Sequence, residues 1–297
     1  MKKYSNSAVF AMALAAFMVL IMVISPLASF FWGSTGDEDP AGQTDLPTTA
    51  PTPDNRRSLG EVGQLINHPL DSIADGLDMS PPGAVIANYV CTDGLEGTPM
   101  ESLVYTTQQY DLYGTNISRA YRAAFWDGTQ IEMDKLSPRK FMFGFIPAPT
   151  PYQGYPVLVR NKDMCSIMGD PCILGPRSKV EAAVDVIEDE NASNSYPPFS
   201  RLLEQVDLDA PYQVVAQNSR VAHQYYDAVC VAGDRCERTI TCIGITENAT
   251  TCLNELAANT TDSIECTMTF DQGDLNFTIA RISGDFDAVM NVECLKP

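Results

Sequence analysis

Histidine is scarce in this chain, which has only His68 and His223 among its 297 residues. Because histidine supplies most general bases and many metal ligands, few catalytic triads or histidine-based metal sites are possible. Asp227 follows His223 by four residues, and we predict a helix from Ser219 through Val231 that brings the two onto one face. No GxSxG nucleophile motif accompanies them. Hydrolase activity through His223, or through a pair of carboxylates, is therefore an alternative and not the leading hypothesis.

Other signatures of chemistry are also missing. The chain has no CxxC pair, which argues against zinc and iron–sulfur centres, and no glycine-rich phosphate loop. Its net charge of -19 argues against nucleic acid as a partner. We expect no catalytic motif, no cofactor and no metal. Calcium remains an open alternative at two acidic groups without EF-hand spacing: Asp185, Glu188, Asp189 and Glu190, or Asp271 and Asp274.

Charged side chains are absent from Tyr4 to Gly36, and within this stretch residues 8–32 are almost entirely apolar. A helix of this length reaches about 37 Å, which is enough to cross a hydrocarbon layer of about 30 Å. Lysines precede the run and acids follow it, so we predict a cytoplasmic segment 1–7, a transmembrane helix 8–32 and an extracytoplasmic remainder at the plasma membrane. A cleaved signal peptide is the alternative, although the run is longer than usual and its cleavage pattern is poor.

The segment after the apolar run is rich in Gly, Ser, Thr, Pro and Asp. Such a composition cannot bury a core, so we predict a flexible stalk over residues 33–57. The rest of the chain is long enough for one large or two modest domains, and its spread of acidic residues is typical of a solvated exterior protein.

Cysteine is abundant by contrast, with nine residues in the chain. In an exported protein this number predicts disulfides. Favoured pairs are Cys165 with Cys172, Cys230 with Cys236, and Cys242 with Cys266, while Cys91 is left as the odd thiol. The disulfide candidates are Cys165, Cys172, Cys230, Cys236, Cys242, Cys252, Cys266 and Cys294.

Five N-x-S/T acceptor sequences lie beyond the predicted anchor and support a glycosylated exterior domain. The candidate asparagines are Asn116, Asn191, Asn248, Asn259 and Asn276.

Hydrophobic patterns predict an α+β fold. Strand-like runs include residues 84–91, 120–126 and 239–245; residues 264–270 and 275–282 suggest a hairpin, and 178–187 a helix opened by a Ser178-x-x-Glu181 capping box. The polar tract EDENASNSYPP, residues 188–198, suggests a boundary. We therefore predict two disulfide-braced α+β lobes, residues 58–190 and the Cys-rich 197–297, each an antiparallel or mixed sheet with helices on one face.

The leading functional hypothesis is a non-enzymatic, membrane-anchored surface or cell-envelope protein that binds a protein or glycan partner. An alternative is a receptor or carrier that holds a small or lipid-like ligand between the lobes. Aromatic residues could line a groove for such a ligand, although core packing also explains most of them. These aromatics are Tyr105, Tyr110, Tyr113, Tyr121, Phe125, Trp126, Tyr152 and Tyr155.

Overall fold

The computed structural model describes residues 57–59, 63–101, 113–141, 146–147, 150–159, 164–261, 263–271 and 276–295. The predicted anchor 8–32 and nearly all of the stalk 33–57 lie outside these ranges. Within the described ranges, no helix combines the length and apolar character needed to cross a membrane.

Short and long strands alternate with a few helices in chain order. The strands are β1 (Arg57–Ser58), β2 (Ile66–Asn67), β3 (Ala84–Cys91), β4 (Asn116–Phe125), β5 (Gln130–Ser137), β6 (Lys140–Phe141), β7 (Ile146–Pro147), β8 (Val157–Val159), β9 (Cys165–Ile167), β10 (Gly169–Asp170), β11 (Cys172–Gly175), β12 (Tyr212–Gln217), β13 (Ala222–Ala232), β14 (Arg235–Ile245), β15 (Ile264–Asp271) and β16 (Phe277–Asp285). The helices are α1 (Ile73–Met79), α2 (Arg177–Glu188), α3 (Ser200–Leu203), α4 (Glu247–Ala258) and α5 (Phe286–Met290).

One antiparallel sheet of 12 strands dominates the fold, in the order β15-β16-β14-β13-β12-β3-β4-β5-β11-β9-β8-β7. Two minor pairs accompany it: β1 with β6, antiparallel, and β2 with β10, parallel. The α+β class is therefore confirmed. The prediction of a separate sheet in each lobe is corrected. Strand β12, which follows residues 188–198, pairs with β3, which precedes them, so strands from both predicted lobes form one sheet.

The tract at residues 188–198 is bound to the first half of the chain. Ser195 is buried, its hydroxyl donates to the Pro81 carbonyl at 2.5 Å, and it accepts from the Ala84 backbone N–H at 3.1 Å. Asn194 donates to Asp78 at 2.7 Å. These bonds explain how a polar tract without apolar periodicity is ordered within the fold.

Helices cover both faces of the sheet, which corrects the expectation of one covered face. We call the face that bears Tyr89 and Tyr121 the front face, and the opposite one the back face. Alternate side chains of each strand point to opposite faces. Helices α1, α2 and α3 pack against the front-face core, whereas α4 and α5 pack against the back face of the C-terminal strands.

The contact between α1 and β4 depends on a small residue. A Cβ atom at Gly76 would lie 2.1 Å from Cδ2 of Tyr121, so only glycine permits this approach. Ser80, just after the helix, donates to the Tyr121 hydroxyl at 3.0 Å. The bare backbone of α1 therefore lies directly on the buried tyrosine ring.

The predicted helix over residues 219–231 is wrong, because this segment forms β13 at the centre of the sheet. Both faces of β13 are buried: Tyr225 and Val229 face the back core, and Tyr226 and Ala228 the front core. Burial on both faces erases the alternation that identifies a half-exposed strand. The helix α2 is confirmed, but it begins at Arg177 after Pro176 and lacks the expected side-chain cap.

Candidate functional site

Ionisable side chains are buried at two places on the back face. The Asp227 cluster comprises Tyr225, Asp227 and Arg238 on β13 and β14. The Asp134 cluster comprises Tyr113, Arg122, Glu132 and Asp134 on and beside β4 and β5. Strand register joins them along one line of paired residues: Glu132, Arg122, Asn88, Val214 and Asp227. These clusters are the main concentration of buried charge among the described residues, so we treat them as the candidate site.

The Asp227 cluster is densely hydrogen-bonded. Arg238 is 0 % exposed, and its Nε and Nη2 donate to Asp227 at 3.0 and 2.8 Å. The Tyr225 hydroxyl lies 2.9 Å from Asp227 Oδ2 and 2.9 Å from the Leu295 carbonyl, which also accepts from Arg238 Nη2 at 3.1 Å. A buried guanidinium that meets a carboxylate through two nitrogens is strongly charge-assisted. The cluster thus attaches the C-terminal segment to the sheet.

Burial and charge act in opposite directions on Arg238. Burial by itself would lower the pKa of Arg238, but Asp227 and Tyr225 outweigh it and the net shift is upward. Burial, followed by the negative charge of Asp227, raises the pKa of Tyr225 well above its usual value. Arg238 is therefore cationic and Tyr225 neutral at physiological pH, and the pair supplies no titratable acid or base for catalysis near pH 7.

The Asp134 cluster is only partly paired. Arg122 Nε and Nη2 donate to Glu132 Oε1 at 3.0 and 2.7 Å. Asp134 is 0 % exposed, yet neither of its oxygens has a hydrogen-bond partner among the described residues, and the neighbouring Tyr113 hydroxyl also lacks one there. Cys172 lies opposite Asp134 on the neighbouring strand, and Leu136, Leu174 and Met168 belong to a buried apolar cluster that includes Cys172.

Burial, followed by the nearby charge of Glu132, raises the pKa of Asp134 well above its ordinary value. Burial also raises the pKa of Tyr113, and Asp134 adds to that shift. Arg122 and the neighbouring Tyr113 hydroxyl act in the opposite direction on Asp134, but burial outweighs them and favours the protonated form of the carboxyl group.

Tyr212 lies between the two clusters on β12. Burial, followed by Asp227, raises its pKa to about 12, while Arg238 and Arg122 act in the opposite direction. Charges from both clusters therefore influence the pKa of Tyr212. Together with Tyr212, the two clusters form a polar band on the back face that the apolar Val214 interrupts.

The expected meeting of His223 and Asp227 does not occur. His223 is exposed, and its Nδ1 lies 2.8 Å from Asn218 Oδ1, while Asp227 is buried against Arg238. On a strand, residues four apart are separated by roughly 13 Å. This geometry gives the hydrolase alternative no nucleophile–base pair at His223.

The cysteine pairs favoured from sequence are wrong. The structure joins Cys252 to Cys294, linking α4 to the C-terminal segment. Cys230 and Cys236 lie on opposite faces of the β13–β14 hairpin, and Cys165 and Cys172 likewise lie on opposite faces of the sheet. The free cysteines are Cys91, Cys165, Cys172, Cys230, Cys236, Cys242 and Cys266.

All five candidate glycosylation asparagines, Asn116, Asn191, Asn248, Asn259 and Asn276, are exposed. Their exposure is compatible with modification, which stays a prediction.

Of the proposed calcium ligands, Asp185 accepts from Tyr152 at 2.7 Å, and Glu188 accepts from Tyr155. Within the described part of the chain, no three acidic, histidine or cysteine side chains are grouped as a metal site would require.

The suggested aromatic groove is not assembled by the described residues. Tyr113, Tyr121 and Tyr155 are buried, and Trp126 is 51 % exposed at the β4–β5 turn. Tyr105 and Tyr110 lie outside the described residues. Core packing and the bonds to α2 account for most of these side chains.

Comparisons with known proteins name no family. No protein-family model matches the chain, and no curated protein matches it. Among solved structures, "Structure of crystal form I of TP0453" aligns with a TM-score of 0.46 and 10% identity over 75% of this chain and 97% of that one. "Structure of crystal form III of TP0453" aligns with a TM-score of 0.44 and 9% identity over 76% of this chain and 98% of that one. Likeness at this level carries no inference about function.

Sequence reasoning did not single out the polar band. A signal was present, since Asp227 lies within the apolar run Tyr225–Val229 and Glu132 and Asp134 alternate with apolar residues in β5. Charges that interrupt apolar strands on one face are unusual and call for partners. The partner strand and its register, however, were needed to identify Arg238 and Arg122.

Proposed function

We propose that this chain is a single-pass, membrane-anchored extracytoplasmic protein with a non-enzymatic role in binding a protein or glycan partner at the cell surface or envelope. The observation that carries the proposal is the apolar run at residues 8–32, with lysines before it and acids after it. The net charge of -19 and the five exposed glycosylation sequences favour an exterior location for the body.

The geometry of the body supports a binding role over catalysis. His223 and Asp227 are apart, and the buried charged groups Asp227 and Arg238 are hydrogen-bonded to each other. Broad antiparallel sheets with exposed loops are common platforms for recognition by surface proteins, although fold by itself does not specify function.

Topology is tested by adding protease to intact cells that express the full chain. We expect loss of the C-terminal body, a membrane-bound N-terminal fragment and an unchanged cytoplasmic marker. A protected body would contradict the proposal. Mass determination of the mature protein separates a retained anchor from a cleaved signal peptide, because cleavage removes residues 1–32 or a similar span.

A carrier for a small or lipid-like ligand is the second candidate, favoured by one observation. Asp134 and the Tyr113 hydroxyl are buried neighbours that interact with each other, and neither has a hydrogen bond of good geometry among the described residues, so a bound polar group would complete both. Native mass spectrometry of gently purified protein tests this idea. A co-purifying small molecule that is lost in Asp134→Ala supports a carrier, and a bare chain in both proteins argues against it.

A further inference from the structure

Strand β15 forms one edge of the 12-stranded sheet. It pairs with β16 over eight consecutive residues without a bulge, and no described residue pairs with its outer side over Cys266–Phe270. Natural edge strands are usually protected by lysine, proline, a bulge or a covering segment. The sequence of β15, IECTMTFD, contains no lysine or proline. This edge is therefore open to pairing with another strand.

Hydrogen bonds at the start of β15 show which backbone groups point outward. The Ser263 carbonyl accepts from Asp285 N–H next to β16, whereas the N–H and C=O of Ile264 both bond to Thr261 on the outer side. Because these directions alternate along a strand, residues 265, 267 and 269 face β16. The N–H and C=O groups of Cys266, Met268 and Phe270 therefore point away from the sheet.

The side chains of β15 that lie on the back face are suited to contact a strand added at this edge. Phe270 is 49 % exposed, making it one of two exposed large hydrophobic residues among those described. Met268 is half-buried on the same face, where α4 packs, while Thr267 and Thr269 are exposed on the front face. An extended chain added here would cover Phe270 and satisfy the outward backbone groups.

We propose that β15 is a self-association edge, at which a second copy of this chain adds its own β15 in antiparallel orientation about a two-fold axis at Thr269. Met268 of each copy then lies opposite Phe270 of the other, and their outward N–H and C=O groups exchange hydrogen bonds. The contact pairs a thioether with an aromatic ring, a favourable combination. The two Thr269 side chains meet on the front face.

Neighbouring registers are less favourable for specific reasons. An axis at Thr267 would place Phe270 of one copy opposite Ile264 of the other, whose outward groups already bond to Thr261. An axis at Met268 would place residues 265 and 271 opposite each other, and both are acidic. The register centred on Thr269 avoids both problems and keeps Glu265 outside the paired residues 267–271.

The net charge of each copy limits the strength of this association. Two chains of charge -19 repel each other, and the paired segment is short. We therefore expect a weak dimer that salt strengthens by screening the repulsion. A contact held by ion pairs would respond to salt in the opposite way.

Disulfide trapping tests the register on the full chain in detergent, with Cys230→Ser to remove the exposed native thiol. Across a closely spaced antiparallel pair, Cα atoms lie about 4.5 Å apart, within disulfide range. Thr269→Cys should therefore give a covalent dimer under mild oxidation. Thr267→Cys is the matched control, since the two Thr267 positions are roughly 13 Å apart along the strand and should not cross-link. Cross-linking of both variants, or of neither, overturns the proposal.

A second variant separates edge pairing from chance collision. Phe270→Lys, added to Thr269→Cys, should lower the cross-linked fraction by at least about threefold because it removes the apolar contact and adds a charged edge residue. Trp126→Lys, at the other exposed large hydrophobic position, should leave it unchanged. Equal loss in both variants, or dimer loss with added salt, would overturn the proposal.

Discussion

Two buried aspartates on the back face of one sheet stand in unlike surroundings. Asp227 receives hydrogen bonds from Arg238 and lies beside the Tyr225 hydroxyl, whereas Asp134 has no partner among the described residues. Both are nearly inaccessible, at 3 % and 0 % exposure. The difference teaches that burial alone does not decide the state of an acid: Asp227 is bonded directly to a buried arginine, whereas burial outweighs the influence of Arg122 on Asp134 and raises its pKa.

The largest expected effect comes from breaking the paired cluster. Asp227→Asn leaves the Arg238 guanidinium buried without its counter-ion, and we expect a loss of about 3–5 kcal/mol in the free energy of unfolding. Urea denaturation at pH 7 measures it. The double variant Asp227→Leu with Arg238→Met should recover much of the loss, because the unpaired charge is gone. No recovery would mean that the ion pair itself stabilises the fold.

The next largest effect is expected from breaking the disulfide that links the C-terminal segment to α4. Reduction of the Cys252–Cys294 disulfide releases a loop of sequence separation 42 and should cost about 2–4 kcal/mol. Hydrogen exchange should then rise around Leu295 and β13, while β4 and β5 at the Asp134 cluster keep their protection. Cys252→Ser provides a reductant-free control. Uniform exchange over both clusters would show that they unfold as one unit.

A smaller effect of opposite sign is expected at the unpaired acid. Asp134→Asn replaces an acid of raised pKa with a neutral amide of the same shape and should stabilise the protein by about 1–3 kcal/mol at pH 7. The same substitution thus destabilises at residue 227 and stabilises at residue 134.

The pH dependence has a defined sign. Because the folded pKa of Asp134 is raised, its contribution to stability is fully present below the unfolded value near 4 and is lost as pH rises through the folded pKa. Asp134→Asn should therefore gain on the wild type steadily above about pH 4. A constant difference between the two proteins from pH 4 to 8 would contradict a raised pKa.

The smallest effect concerns the thiols beside the two clusters. Burial raises the pKa of Cys172, near Asp134, and of Cys242, near Asp227, each to about 12. In native protein at pH 8, both should react with iodoacetamide at least about a hundredfold more slowly than Cys230, which is exposed. Mass spectrometry of timed samples measures this. In the Asp227→Asn variant, the reaction of Cys242 with iodoacetamide should accelerate more than that of Cys172. The opposite result would mean that the Asp227 cluster does not control the exposure of Cys242.

Local sequence patterns predicted individual elements better than their assembly. Strand β3, helix α2 and the β15–β16 hairpin each have a clear apolar period or turn, so their types could be predicted. The sequence of β13 predicts a helix, which is wrong, because both faces of the strand are buried and no alternation of polar and apolar residues identifies it. The pairing of β12 with β3, which unites the sheet, joins residues more than 120 positions apart and leaves no local signal.

The candidate site shows the same limit. Arg238 lies 11 positions after Asp227, and only the β13–β14 register, with Asp227 opposite Ile240, places the two charges diagonally on one face. The cysteine pairs failed for a related reason: Cys230 and Cys236 are close in sequence, yet they occupy adjacent hairpin positions whose side chains point to opposite faces. Spacing along the chain cannot replace knowledge of the face.

The glycine of α1 that lies against Tyr121 has an evolutionary consequence. Positions 76 and 121 share one fixed volume, so relatives should change them together: a larger residue at 76 should appear only where the ring at 121 has been exchanged for a small side chain. Such paired exchanges would identify distant members of this lineage even where overall identity has faded.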